Sequence, residues 1–139
     1  MWQLDSRLAD DTVAVGDLPL TRVLLNDDAN YPWLILVPRR AGSVELTDLD
    51  EAGRTLLMME IAQVSRALRE ITRCDKLNIA ALGNVVAQLH VHIIARFHKD
   101  AAWPNPVWGK GPRRPYENAA RAGLMTALRA GLQISPLTE

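Results

Sequence analysis

The sequence predicts one small domain that combines strands with helices. Three observations carry this: short apolar or β-branched runs between turn residues before residue 40, one long run with apolar residues at helical spacing, and further strand-like runs ahead of an Ala-rich helical segment. At 139 residues the chain fits a single domain spanning residues 1–139, long enough to bury roughly two-thirds of its unfolded surface. A hydrophobic content of 48% and a charged content of 23% are ordinary for a soluble globular protein. No internal repeat and no interdomain linker interrupts it.

The elements follow in order. Thr12–Val15 and Thr21–Leu25 flank Gly16-Asp17, a hairpin-like signal. Trp33–Val37 is a third strand, ended by Pro38. Thr47, with Asp50 three residues on, makes a capping-box-like start. From there Leu49, Leu56, Leu57, Ile61, Val64, Leu68 and Ile71 recur at helical spacing, which predicts a helix from about Asp48 to Arg73. Leu77–Leu82 and Gln88–Phe97 are the next strands, separated by Gly83-Asn84. A Pro/Trp-rich segment over 98–115 holds four prolines and two tryptophans and reads as ordered but irregular. Residues 117–132 form a second helix.

Composition narrows the function classes. No apolar run approaches the ~18 residues needed to span a bilayer, and the first residues carry acid where a signal peptide carries positive charge. A single cysteine, Cys74, excludes an internal disulfide framework. These features point to the cytoplasm and away from membranes. The zero net charge hides a gradient: residues 1–51 hold ten acids against four bases, and residues 96–121 hold six bases against Asp100 and Glu117. A basic C-terminal third suits a phosphorylated ligand, and equally a solvated surface of mixed charge. No basic run with an aromatic platform argues for nucleic-acid binding.

The most informative run is Gln88-Leu89-His90-Val91-His92-Ile93-Ile94. Strand side chains alternate between faces. Gln88, His90 and His92 then share one face, while Leu89, Val91 and Ile93 share the other. An apolar face is explained by a core. A face built only of groups that exchange hydrogen bonds near neutral pH calls for a site.

With the Gly83-Asn84 pair before it and Arg96 after it, this run resembles the signature of the histidine triad (HIT) family, His-φ-His-φ-His-φ-φ. The upstream stretch from Asn26 through Trp33-Leu34-Ile35-Leu36-Val37-Pro38-Arg39 is similar to that family's strand with a Val-Ile-Pro-Lys/Arg end. The resemblance covers about residues 12–97. It implies an α+β fold with a five-stranded antiparallel sheet, one long helix and here a C-terminal helix. It also implies a homodimer, and an enzyme that binds a nucleotide and attacks its α-phosphate. By the same resemblance His90 is the nucleophile and His92 its phosphate-side partner, with Gln88, Asn84 and Asn26 as substrate-binding residues.

Several positions depart from the family pattern. Gln88 stands where the first triad histidine belongs; glutamine can hydrogen-bond but cannot titrate. Trp33 replaces an upstream histidine, and Ala95 a proline. The glycine-rich loop contracts to Leu82-Gly83-Asn84, with Asn84 in place of a glutamine. These departures set a nucleotide-binding module with little turnover beside the enzyme reading.

The residues support the chemistry on their own terms. An unperturbed imidazole, with a pKa near ~6.5, is largely an uncharged nucleophile at neutral pH. Phosphoryl transfer asks mainly for positioning and charge stabilisation. A covalent nucleotidyl-histidine splits the reaction into two easier steps. A second imidazole on the same strand face lies about 6–7 Å away, within reach of phosphate oxygens or the leaving group. His-x-His is also a metal-ligand spacing. The remaining histidine, His98, lies about 20 Å beyond His92 on a straight strand, so no metal and no cofactor is expected. Trp33 reads as core or pocket wall. Trp103 and Trp108, held in a proline-braced segment, could stack on a base, pack on a partner or cover the sheet, with packing favoured.

Overall fold

Apolar runs bounded by turn residues place the strands where the chain can bury a sheet on both faces and still reverse direction. The computed structural model describes residues 1–138. The first hairpin joins β1 (Thr12–Asp17) to β2 (Thr21–Asn26), and β3 (Trp33–Pro38) continues the meander. Two later strands, β4 (Lys76–Ala80) and β5 (Val91–Arg96), complete one five-stranded antiparallel sheet in the order β1-β2-β3-β5-β4. Its register shifts between Ala14 and Gly16, as at a bulge. The C-terminal tail crosses there, and a Cβ on Gly16 would come within 2.5 Å of the Ser135 carbonyl oxygen. Only glycine allows that approach.

The long helix α2 spans Glu51–Thr72, three residues later at its start than expected. Leu49 is the reason. It is buried in the core with extended backbone, φ −79° and ψ 146°, so the helix starts only after it. Asp50 therefore caps α2, accepting the Gly53 N–H at 2.7 Å. Asp48 belongs to a preceding 3-10 turn, Leu46–Asp48, and accepts the N–H groups of Val44 and Glu45. Two further helices flank the sheet: a short α1 (Ser6–Asp11), absent from the sequence reading, and α3 (Asn118–Leu132). Six residues carry too little of a helical period to be read from a pattern.

The strand expected over Gln88–Phe97 begins its pairing only at Val91. Ahead of it, the Leu89 N–H donates to the Ser43 carbonyl at 3.0 Å, so residues 88–90 lie against a loop and not in the ladder. Likewise β4 ends at Ala80 and does not run to Leu82.

Both sheet faces are covered. On one, Leu57, Val64 and Leu68 of α2 and Leu128 of α3 pack on Leu89, Val91 and Ile93. On the other, Leu24, Trp33, Ile35 and Ile94 meet Leu8 of α1 and Ala102 and Val107 of the irregular segment. That segment has few apolar anchors, and a buried ion pair holds it. Arg96, only 1% exposed, bonds the Asp100 carboxylate at 2.8 and 3.0 Å, Asn78 at 2.7 Å and the Asn105 carbonyl at 2.9 Å. Its guanidinium lies 5.6 Å from the ring of Tyr31 and 5.5 Å from that of Trp103. Burial raises the Asp100 pKa, but donation from Arg96 and from the N–H groups of Phe97 and Trp103 outweighs it and holds the group at about 2.

Removing one partner of such a pair strands the other in a dry site. Arg96→Met is expected to cost about 3 kcal/mol of unfolding free energy, measured by urea denaturation, and to expose the 98–115 segment to proteolysis. A loss below about 1 kcal/mol, the range of an exposed pair, would show that Asp100 reaches water and the segment is held elsewhere.

Candidate active site

His90 sits just before β5 and His92 within it. Both are largely buried, at 7% and 6% exposure, yet both line a cleft of about 430 Å³. Their rings are 4.9 Å apart between centroids, closer than the about 6–7 Å by which a strand spaces i and i+2 along its backbone. The cleft wall is mostly apolar and aromatic, with Leu8, Trp33, Ile35, Val86 and Trp108. Asn26, Asn84, Asp11 and Arg113 supply its polar groups.

Hydrogen bonding gives the two imidazoles opposite tautomers. The Nδ1 of His90 lies 2.6 Å from the Gln88 carbonyl oxygen. A carbonyl only accepts, so Nδ1 carries the proton and the neutral ring keeps a lone pair on Nε2. Across the site the Trp33 indole Nε1–H donates to His92 Nδ1 at 2.9 Å. An indole only donates, so the neutral His92 carries its proton on Nε2. The pair thus sets a bare nitrogen beside an N–H donor.

His92 is boxed by aromatic rings. Trp33 and Trp108 meet it edge-on, with centroids at 5.6 and 5.0 Å, and meet each other at 5.6 Å. Burial, and secondarily the neighbouring His90, pulls the His92 pKa down from 6.5 to about 4. At neutral pH it is an uncharged donor.

The other sequence candidates are distributed unevenly. Asn84 lines the cleft beside Gly83. Asn26 also lines it, with its side-chain oxygen accepting from Arg113 Nη2 at 3.1 Å. Gln88 lines neither this cleft nor the smaller cavity of about 210 Å³ that His90 also lines. Instead its Oε1 accepts the Asp5 backbone N–H and its Nε2 donates to the Gln3 carbonyl, both at 2.8 Å. His98 stands away from the site, its Nδ1 3.7 Å from Asp75 and its ring against Trp103. Among the described residues no three His, Cys, Asp or Glu side chains converge as a metal site, and no helix is long and apolar enough to cross a membrane.

Sequence reading missed Leu8, Asp11 and Arg113. The first two belong to the unpredicted α1. Arg113 was visible only as part of the basic excess over 96–121. The two proline-segment tryptophans separate: Trp108 walls the cleft, and Trp103 stacks on Arg96.

With this geometry in place, comparison with known proteins is decisive about family. The HIT domain model matches residues 7–99, and the chain belongs to the histidine triad family. It is similar to a histidine triad protein from Bradyrhizobium japonicum, with 59% identity, 94% of this chain and 98% of that one covered, and a TM-score of 0.93. Histidine triad proteins from Marinobacter aquaeolei (43% identity, 97% and 99% covered) and Sinorhizobium meliloti (39%, 95% and 98%) superpose with the same TM-score of 0.93. No curated protein sequence matches. Membership places the chain among nucleotide-binding hydrolases and transferases.

The His92 environment has a measurable consequence. In the unfolded chain an imidazole takes up its proton near pH 6.5, whereas folded His92 resists protonation until about pH 4. Between those values the unfolded state binds the extra proton, so stability falls as pH falls through this window. The loss attributable to His92 is about 3 kcal/mol. Thermal melts from pH 7 to 4 are expected to show it, and His92→Gln to flatten the slope. An unchanged slope in that variant would place His92 in contact with water.

Proposed function

We propose that the protein is a nucleotide hydrolase or nucleotidyl transferase that attacks the α-phosphate of a nucleoside phosphate derivative through His90. The observation that carries this reading is the pair of opposed tautomers at the head of an apolar cleft. The Nε2 lone pair of His90 forms a P–N bond while the bond from phosphorus to the leaving oxygen or nitrogen breaks, its electron pair departing with that group. Water then attacks phosphorus, the P–N bond breaks and its pair returns to Nε2. The proton shed by water balances the one taken up by the leaving group. Throughout, the Nδ1–H of His90 stays on the Gln88 carbonyl, which favours the positive charge of the phosphorylated ring.

His92 serves this reaction as a hydrogen-bond donor. Giving up its Nε2 proton would leave an imidazolate, so it supplies that N–H to the phosphoryl oxygens as charge grows on them. Trp33 keeps the donor facing that way by occupying Nδ1. On this reading Asn26 and Asn84, which line the cleft, meet the sugar or phosphate. A second reading, a nucleotide-binding module with little turnover, draws on Gln88: its amide is engaged by backbone, leaving two imidazoles where the family motif has three.

Trapping separates the two. Mixing the protein with a nucleoside phosphoramidate and quenching for intact mass is expected to give a nucleotide adduct that disappears in His90→Ala. That variant should lose turnover while keeping nucleotide affinity within about tenfold, because it removes the covalent step and not the cleft. Binding without adduct or product would favour the module, and near-wild-type turnover by His90→Ala would sink the nucleophile assignment.

We also propose that the protein is a homodimer. The outer edge of the sheet at β4 is unpaired, and beside it Ile79, Leu46 and Met58 are 51%, 46% and 64% exposed around an apolar groove of about 360 Å³. A second copy seated there buries this surface and shields the strand edge. Light scattering at micromolar concentration is expected to give a dimer, and Met58→Glu with Ile79→Lys a monomer. A monomeric wild type would defeat the proposal.

A further inference from the structure

Gln88 occupies the position of the family's first histidine, yet it works on the N-terminal segment. A primary amide presents an acceptor and a donor side by side, and both are used at 2.8 Å, by the Asp5 N–H and the Gln3 carbonyl. An imidazole also carries one of each, but on opposite edges of a ring, and cannot span two neighbouring backbone groups in this way. The segment held by the amide leads into the cleft wall. The side chain of Asp5 caps α1 by accepting the Arg7 N–H at 2.8 Å, and the Arg7 guanidinium donates to the Val85 carbonyl at 2.9 Å. Next along α1, Leu8 is 6% exposed and lines the cleft.

The same residue reaches the nucleophile from its other end. The Gln88 backbone carbonyl accepts the His90 Nδ1–H at 2.6 Å. The loop it belongs to, 81–90, has no ladder pairing of its own. Contacts to the N-terminal segment and to Ser43 therefore supply much of its order.

We propose that Gln88 is a positioning residue. Its amide pins residues 3–8 against the loop that precedes the nucleophile, which makes Leu8 part of the nucleoside-facing wall, and its carbonyl, steadied by the same clamp, holds His90 in the tautomer with a free Nε2. This rests on reading the cleft as a nucleotide site.

The test uses the full chain, AMP as the probe, and NMR. In Q88A the dissociation constant for AMP is expected to rise about tenfold and the Asp5 amide to exchange with solvent at least about tenfold faster, the effect of losing two neutral hydrogen bonds. The His90 ring ¹⁵N shifts should move toward a mixture of tautomers. Leu8→Ala alone should weaken AMP similarly, and adding it to Q88A should change little, because the wall is already released. Q88E, which keeps the acceptor for Asp5 but loses the donor to Gln3, should fall between. Should Q88A fail to fold, Q88E and Leu8→Ala carry the same comparison. Weaker AMP binding with unchanged Asp5 exchange and additive effects of Gln88 and Leu8 would overturn the proposal, since Gln88 would then touch the ligand itself. If the wild type binds no AMP, the nucleotide reading fails, and unchanged Asp5 exchange in Q88A independently overturns the clamp.

Discussion

The hydrogen bond from the Trp33 indole to His92 Nδ1 is the constraint on which the site depends. It crosses from β3 to β5, so it exists only if those strands pair in the observed register, with Ile35 opposite His92 and Trp33 opposite Ile94. A slip of one residue would send Trp33 to the opposite face of the sheet. Because the indole can only donate, the bond also dictates which nitrogen of His92 carries the proton. A packing relation between two strands thereby becomes a choice of tautomer. The bulky ring adds a second effect: with Trp108 it keeps water from His92, and exclusion of water holds the imidazole neutral.

That arrangement needs a cover on the far side of His92, and the irregular segment after β5 provides it. Few of its residues are apolar enough to hold it down, so the cover depends on Arg96 and Asp100. Burying this pair would be costly if any donor or acceptor went unmet. Here the guanidinium spreads its donors over Asp100, Asn78 and the Asn105 carbonyl, and two aromatic rings lie against it. The ion pair fixes where the segment turns, and Trp108 reaches the cleft from that fixed turn. A second buried acid, Glu60 on α2, does comparable work at the opposite end of the sheet. It accepts the N–H groups of Leu20 and Thr21 and the Thr21 hydroxyl, locking the long helix to the first hairpin.

What could be read from the sequence follows from how local each signal is. The five strands, the long helix and the pairing of His90 with His92 rest on periodicity and on a short motif, and they are present in the fold within a few residues. Boundaries were harder. Leu49 fits the helical pattern, but the core demanded it in an extended conformation, which moved the helix start. Residues 88–90 look like strand, but the Leu89 N–H bonds the carbonyl of Ser43, 46 positions earlier in sequence, where no local pattern points. Least legible were contacts between distant segments. Nothing local marks Leu8 as cleft wall, Arg113 as a partner of Asn26, or the Gln88 amide as a tie to Gln3 and Asp5.

The motif's polar face therefore divides into three different physical roles. Gln88 cannot ionise, and its amide is committed to backbone. His92 could ionise but is kept neutral down to about pH 4 by burial. His92 keeps an N–H free on Nε2, whereas His90 keeps a bare lone pair there. Loss of the first histidine then does not subtract one of three equivalent groups. It removes ionisation from a position whose backbone carbonyl accepts the His90 Nδ1–H, and leaves that bond intact. Between about pH 5 and 9 neither neighbour in the run changes charge: the Gln88 amide has no proton to lose, and His92 stays neutral.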